Sequence, residues 1–416
     1  MKKILAVILA TVLAATLLTA CGGSSGGSGS SAMSGNTSGG GETDLSRERN
    51  LDEIAANVKG LAFLEDGQVY PAETVKIGIP TYNRTDATFI GLQSYCSYLE
   101  KYLNVEFIYS ENLTDAESEI KFIENCAISD CKGILATYDV IGHDVIDLCA
   151  EYDMYYMLGP SDASLPEGDV YEAYKDNEYW LGGLTNGNSN YQASIYVADY
   201  LGQAGCKNIF YAAGMTMVPM FAQALAGFET TMAKYPDATY KVVEGFPDIS
   251  ADFQAAQKEA LADPTLDGVA GLANPNYWAQ PIADANRSDI LLATGSGGLD
   301  ETNREAMESG LMNFECIQLQ EDFIMSVIML LNMLEGDVDM ARPNGVTELI
   351  DMALITVDNY DDYMEYYDLS KNEHFYDIND VTSCIKALNP NADFNAMVQM
   401  YQTRGIEETK ARHASY

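Results

Sequence analysis

The run VKIGIP, from Val75 to Pro80, decides how the rest of the chain is read, because seven further runs of the same kind follow it. They begin at Val105 (VEFIYS), Lys132 (KGILAT), Tyr155 (YYMLGP), Asn208 (NIFYAAG), Tyr240 (YKVVEGFP), Asp267 (DGVAGLA) and Asp289 (DILLATGS). The starts are 30, 27 and 23 residues apart, then 53, then 32, 27 and 22. One rhythm thus occurs twice around a long interruption. Runs this apolar fit strands buried on both faces, as a parallel sheet covered by helices requires. The segments between them carry helical spacing: Phe89, Leu92, Cys96, Leu99 and Leu103 share one face, as do Phe221, Leu225, Phe228 and Met232. Strand-helix-strand units of this length build right-handed crossovers. The expectation is an α/β chain of two Rossmann-like lobes.

After Ser296 the order changes. Glu301–Glu308 reads as a helix, Met312–Leu319 as a strand, Asp322–Leu334 as a strongly apolar helix and Leu349–Val357 as a last strand. This is more than the second lobe needs, so the chain is expected to cross back to the first lobe near Gln318, add a helix there and return. The first lobe is then 75–184 with 319–348, and the second is 185–318 with 349–368. A stretch at 45–74 precedes them, with a helix expected over Leu51–Val58, and an extension at 369–416 follows, with a helix expected over Phe394–Thr403.

The start of the chain has a different character. Lys2 and Lys3 precede an apolar run from Ile4 to Leu18, short for a membrane span, and Leu18-Thr19-Ala20-Cys21 closes it. That tetrapeptide resembles a bacterial lipobox, which implies removal of residues 1–21 and acylation of Cys21. Gly22 to Gly41 hold no charge and no aromatic ring, so residues 22–44 read as a flexible tether with a reach of about 25 Å for twenty residues. The expected location is extracytoplasmic, lipid-anchored on the outer face of the cytoplasmic membrane, with no other membrane contact.

The chain has 62 acidic residues against 23 Lys and Arg, a net charge of −39, and 47% hydrophobic residues. The apolar share supplies a core and argues against wholesale disorder. The charge repels polyanions and excludes nucleic acid as a natural partner. Seven cysteines follow Cys21, several in apolar stretches, and read as buried free thiols rather than a disulfide framework. No Cys-x-x-Cys pair occurs and His143, His374 and His413 are scattered, so neither metal nor cofactor is expected. The folded body has no Gly-x-Ser-x-Gly elbow, and no catalytic residues are assigned.

From Val75 to Tyr367 the chain resembles the type I periplasmic (solute-binding) proteins of ABC transporters, the group of the ribose- and galactose-binding proteins. The resemblance rests on VKIGIP, on Asn190-Tyr191-Gln192-Ala193 after the interruption, on Gly227-Phe228, and on the closing ALITVDN at 353–359 with Tyr363. It implies two lobes joined by a three-crossover hinge, hinge closure over a solute, and ABC permease subunits as partners of a monomeric binding protein.

In open parallel sheets ligands sit beyond the carboxyl ends of the strands. The candidates there are Tyr82, Asn83, Arg84, Asp86, Tyr138 and Asp139 from the first lobe, and Asn274, Trp278 and Ser296 from the second. Flat rings mixed with amides and carboxylates suit a neutral carbohydrate-like solute. The resemblance adds that an Asn after the seventh strand and a Gln at the hinge bind sugar, positions held here by Asn274 and Gln318. It also marks two departures, Ala224 and Ser296 where the family often has Arg and Asp, which points away from a simple pentose or hexose. A sensory receptor feeding a membrane signalling protein would use the same cleft, and an extracellular enzyme is a third reading.

Overall fold

The computed structural model describes residues 70–81, 83–84, 87–137, 141, 144–159, 173–184, 188–216, 219–245, 250–271, 277–351 and 353–416. The segments expected to be a signal peptide (1–21) and a tether (22–44), and the helix expected over Leu51–Val58, lie outside them.

The first lobe runs β1 (Val75–Thr81), α1 (Ala87–Tyr102), β2 (Val105–Asn112), α2 (Ala116–Ile128), β3 (Cys131–Ala136), α3 (Asp144–Glu151), β4 (Tyr155–Leu158) and β5 (Trp180–Leu184). The second runs α4 (Asn188–Ala204), β6 (Asn208–Gly214), α5 (Pro219–Met232), β7 (Thr239–Glu244), α6 (Ala251–Ala262), β8 (Gly268–Gly271), α7 (Ala279–Asp284), β9 (Leu291–Gly297), α8 (Glu301–Glu308) and β10 (Phe314–Ile317). Then come α9 (Ile324–Leu334), β11 (Leu349–Ile350), β12 (Ile355–Val357), α10 (Tyr360–Asn372), α11 (Ile378–Ser383), α12 (Phe394–Gln402) and α13 (Ile406–Ser415).

Each lobe holds one six-stranded sheet, ordered β11-β5-β4-β3-β1-β2 in the first and β12-β10-β9-β8-β6-β7 in the second. All pairs are parallel except β10 with β12. The doubled rhythm of the sequence is therefore a doubled topology, and all eight runs fall on strands. The chain crosses back to the first lobe after β10, places α9 against β3, β4 and β5, and returns before β12.

Two expected boundaries move. Leu349–Ile350 pairs with β5 in the first sheet, so the return follows Ile350 and Leu349–Val357 is two strands in different lobes. The boundary at 368/369 falls inside α10, a single helix that leads straight into the extension. One strand was not anticipated. In β5 Gly182 and Gly183 both have positive φ, and a Cβ on Gly183 would meet Ser326 Oγ at 2.5 Å and Leu158 O at 2.8 Å. Paired glycines read as a breaker in sequence, but here they admit the close approach of α9 and β4.

The motifs behind the resemblance have local physical causes. A Cβ on Gly227 would lie 2.3 Å from the carbonyl oxygen of Tyr191, so Gly227 in α5 and the Asn190–Ala193 start of α4 are two sides of one tight helix crossing. Asn359 caps α10, its side chain accepting from Asp362 N–H at 2.8 Å. Tyr363, fully buried, donates from its hydroxyl to Gly298 O at 3.0 Å and accepts from Asp300 N–H at 3.1 Å, fixing the loop after β9.

Each lobe has a local core on one face of its sheet, around Ile123, Ile134, Ile146 and Tyr156 in the first and Val197, Leu201, Tyr211 and Phe228 in the second. On the other face the two lobes share one continuous cluster. It runs from Ile77, Leu99 and Leu135 through Leu319 and Phe323 to Phe210 and Leu292, and takes in Tyr376, Val381, Ile385, Met397 and Tyr401 of the extension. This explains why α9 is apolar all round: its residues from Ile324 to Asn332 are all buried, between the first sheet and the extension. The seven cysteines from Cys96 to Cys384 are free and buried, as the sequence suggested. No helix among the described residues is long and apolar enough to cross a membrane.

Candidate functional site

A cavity of about 280 Å³ lies between the lobes beside the crossing that follows β10. Ile90, Gly91, Ser94 and Tyr95 of α1 line it from the first lobe, and Gly298, Leu299, Asp300 and Glu301 from the second. Gln318, Leu319, Gln320 and Glu321 of the crossing form its floor, and Tyr367, Ser370, Lys371 and His374 close it from the extension side. It is a cavity to which both lobes and the hinge contribute, and its walls offer hydroxyls, amides and carboxylates around the apolar faces of Ile90, Leu299 and two tyrosines.

Several bonds set these walls. Gln318 N–H donates to Gly297 O at 3.1 Å, which ties the crossing to the end of β9. Glu321, 4% exposed, accepts from Phe375 N–H at 2.6 Å and lies 3.0 Å from Nδ1 of His374. Tyr367 donates to Glu301 at 3.1 Å, and Lys371 Nζ stands 5.4 Å from the centre of the Tyr367 ring. The loop from Gly298 to Asp300 is held from below by Asn303, whose Nδ2 donates to Gly298 O at 3.1 Å and also to Glu315. Glu315 is fully buried, and burial, with Asp300 nearby, pushes its carboxyl well above the usual range.

Behind the cavity Asp322 is also fully buried. Burial raises its pKa to about 6 against the opposing pull of the Arg404 guanidinium and the Tyr376 hydroxyl, which donates to it at 3.1 Å. Arg404 pairs with Asp322 through Nη1 and donates through Nη2 to Ala353 O.

Of the residues singled out from sequence, the structure brings Gln318 to the inter-lobe cavity. Tyr82, Asp86, Tyr138, Asp139 and Asn274 lie outside the described residues, and so does the side chain of Ser296, whose backbone belongs to β9. Asn83 is half-buried just past β1.

One expectation is corrected, and a second candidate has protein partners of its own. Trp278 is 2% exposed and packs edge-on against Phe210 and Phe253, with ring centres 4.8 and 6.4 Å away, so it fills the second lobe's core instead of forming an open stacking platform. Arg84 spends its donors on the end of β2: Nε donates to Ser110 O at 2.7 Å, Nη2 to Tyr109 O at 2.9 Å, and Nη1 lies 3.4 Å from Glu111. It ties the tail of one strand to the next.

Sequence reasoning missed the contribution of α10. Nothing local marks Tyr367, Ser370 and Lys371 as lining residues, because what places them is the antiparallel return of β12, which aims α10 back toward the crossing.

One group of possible metal ligands occurs among the described residues, at Asp377, Asp380 and His413, with ligand atoms within 4.8 Å of one another. Arg412 Nε already donates to Asp380 at 2.7 Å and Tyr416 OH at 2.9 Å, so the carboxylate there is neutralised by a fixed cation and the group serves to dock α13.

No protein-family model matches the chain, and a search of curated proteins finds no significant match. Solved structures do match. A periplasmic solute binding protein of an ABC transporter from Actinobacillus succinogenes 130z, with bound D-allose, is 17% identical with a TM-score of 0.55 over 72% of this chain and 100% of its own. A galactofuranose binding protein is 14% identical, TM-score 0.54, over 72% and 99%. The arabinose-binding component of an ABC transporter from Shewanella sp. ANA-3 is 13% identical, TM-score 0.56, over 72% and 96%. At such identities the likeness speaks for architecture, and it agrees with the two parallel sheets, the interleaved helices and the crossings between them: this chain has the two-lobe fold of the type I periplasmic binding proteins.

Proposed function

We propose that the protein is an extracytoplasmic solute-binding protein, anchored through Cys21, that closes its two lobes over a carbohydrate-like solute and presents the closed form to the permease of an ABC importer. The observation that carries this reading is the inter-lobe cavity, to which α1, the loop after β9 and the crossing strand at Gln318 all contribute. A site divided between lobes is complete only when they approach, so a ligand that contacts both shifts the population toward the closed state.

The chemistry of the walls supports a neutral polyol. Ser94, Gln318, Gln320 and Ser370 offer donors and acceptors for hydroxyls, while Tyr367 presents a ring beside them. Asp300, Glu301 and Glu321, in a chain of net charge −39, disfavour an anionic solute. The sugar-binding proteins of the same fold add weight to the assignment, and the lipobox-like LTAC with its Gly/Ser tether supports the anchor.

A thermal-shift screen tests the ligand class. A ligand at a thousand times its dissociation constant stabilises the native state by about 4 kcal/mol. The expected result is a clear rise in Tm with at least one mono- or oligosaccharide. No rise with any sugar, against a clear one with amino acids, nucleosides or peptides, would remove the carbohydrate assignment.

A further inference from the structure

The extension after α10 lies across the hinge. Arg404, 3% exposed, joins both described crossings through one guanidinium: Nη1 pairs with Asp322 of the outgoing segment and Nη2 donates to Ala353 O of the returning one. Tyr401 OH accepts from Ala353 N–H at 3.2 Å, and Tyr376 OH donates to Asp322 at 3.1 Å. Glu321, next to Asp322, accepts from Phe375 N–H at 2.6 Å. The same segment is anchored in the first lobe, where Tyr95 OH donates to Tyr376 O at 2.6 Å, Tyr98 OH accepts from Ile378 N–H at 2.9 Å, and Asn332 of α9 bonds Cys384 O at 3.0 Å and Lys386 N–H at 2.8 Å. Through α10 it is anchored in the second, where Tyr363 holds Gly298 and Asp300.

We propose that residues 373–404 form a hinge strap, which locks the crossings at 318–323 and 351–354 to one another and thereby limits how far the lobes open. Opening a two-lobed molecule requires the crossing strands to twist and slide relative to each other, because they absorb the dihedral change. A planar, five-donor guanidinium bonded to one strand's carboxylate and the other's carbonyl resists that motion with directional bonds. The shared apolar cluster adds a second resistance, since Leu319 and Phe323 are buried in the same core as Tyr376, Met397 and Tyr401. The strap thus sets the starting angle from which closure occurs, and with it the affinity and exchange rate of the bound solute, from residues that, His374 apart, do not line the cavity.

The proposal rests on lobe closure, but its test uses ligand-free protein and is independent of the solute's identity. Tyr401→Phe removes one hydroxyl that bonds Ala353 of the returning segment and the Arg404 side chain, not the outgoing segment itself. A paired variant, Asp322→Leu with Arg404→Met, replaces the buried ion pair with apolar groups of similar size, an exchange that buried pairs often tolerate. Hydrogen exchange by mass spectrometry is read over 318–323 and 351–354, with β1 and β6 as internal references, alongside small-angle X-ray scattering. Expected for Tyr401→Phe is exchange about tenfold faster not only at 351–354 but also at 318–323, which the hydroxyl does not touch, with β1 and β6 unchanged and a larger radius of gyration. The paired variant is expected to move further the same way. Wild-type exchange at 318–323 and superimposable scattering in Tyr401→Phe would overturn the strap. Should the paired variant fail to fold, shown by uniform fast exchange in every peptide, Tyr401→Phe alone decides.

Discussion

Arg404→Met is expected to destabilise the protein by about 3–5 kcal/mol at pH 8, the cost of leaving a buried carboxylate without its cation. Asp322 has no exposed surface, and Arg404 is its only ion-pair partner among the described residues. The sign of the pH dependence follows from the direction of the Asp322 shift. Its folded pKa, about 6, lies above an unfolded value of about 3.9, so the native state holds the proton more tightly than the unfolded chain. The corresponding stability is complete below about pH 4 and is lost as pH rises through 6. Removing Arg404 raises the folded pKa further, so the loss continues to higher pH. Urea denaturation at pH 4.5 and pH 8 measures this: the difference between wild type and variant should be larger at pH 8. Equal differences at the two pH values would mean that Arg404 acts by packing and by its bond to Ala353 alone.

Glu315→Gln is expected to act in the opposite direction and to stabilise the protein at pH 8. Glu315 sits under the loop that forms the second-lobe wall of the cavity, with Asn303 between them. Among the described residues Glu315 Oε2 and Asn303 Oδ1 have no hydrogen-bond partner, so the pair lacks a donor that a proton on the carboxyl, or the amide of Gln, would supply. The folded pKa of Glu315 is raised well above the unfolded value of about 4.3. Its contribution to stability is therefore present below that value and lost as pH rises, by about 1.4 kcal/mol for each unit of displacement. Gln carries no such dependence. Melting curves should show the variant's Tm above that of wild type at pH 8 and level with it at pH 4. A variant less stable than wild type at pH 8 would show that the carboxyl is held ionised and that Asn303 satisfies it.

These two carboxylates illustrate what the sequence did and did not disclose. The alternation of buried strands and amphipathic helices was legible because a parallel sheet buried on both faces leaves long apolar runs, and because the whole pattern is repeated. The crossing near Gln318 was legible too, since β10, α9 and the last strands exceed what one lobe can hold. Strand β5 was hidden because its Gly182-Gly183 pair reflects the close approach of α9, an element 140 residues away.

The site was less legible, for reasons of direction and distance. An aromatic residue just past a strand looks the same in sequence whether it points out over the cleft or in toward Phe210 and Phe253, and Trp278 points in. Arg84 stood among the candidates beyond the strand ends, and its partners, the carbonyl oxygens of Tyr109 and Ser110, leave no trace in composition. The stretch after residue 350 is rich in Asp and Glu, and its sequence alone assigns it no contact with the hinge. In the fold it begins the segment that lines the cavity with Tyr367, Ser370 and Lys371 and then binds both crossings through Arg404, whose two partners lie 82 and 51 positions away.

Binding of a saccharide between the lobes is the central claim, and native mass spectrometry of the full-length protein addresses it most directly, as purified and after incubation with the sugar that shifts Tm most. The account predicts one retained saccharide per chain, released when the protein is unfolded. Retention of a molecule of another chemical class, or no complex with any sugar under conditions that keep the fold intact, would contradict it.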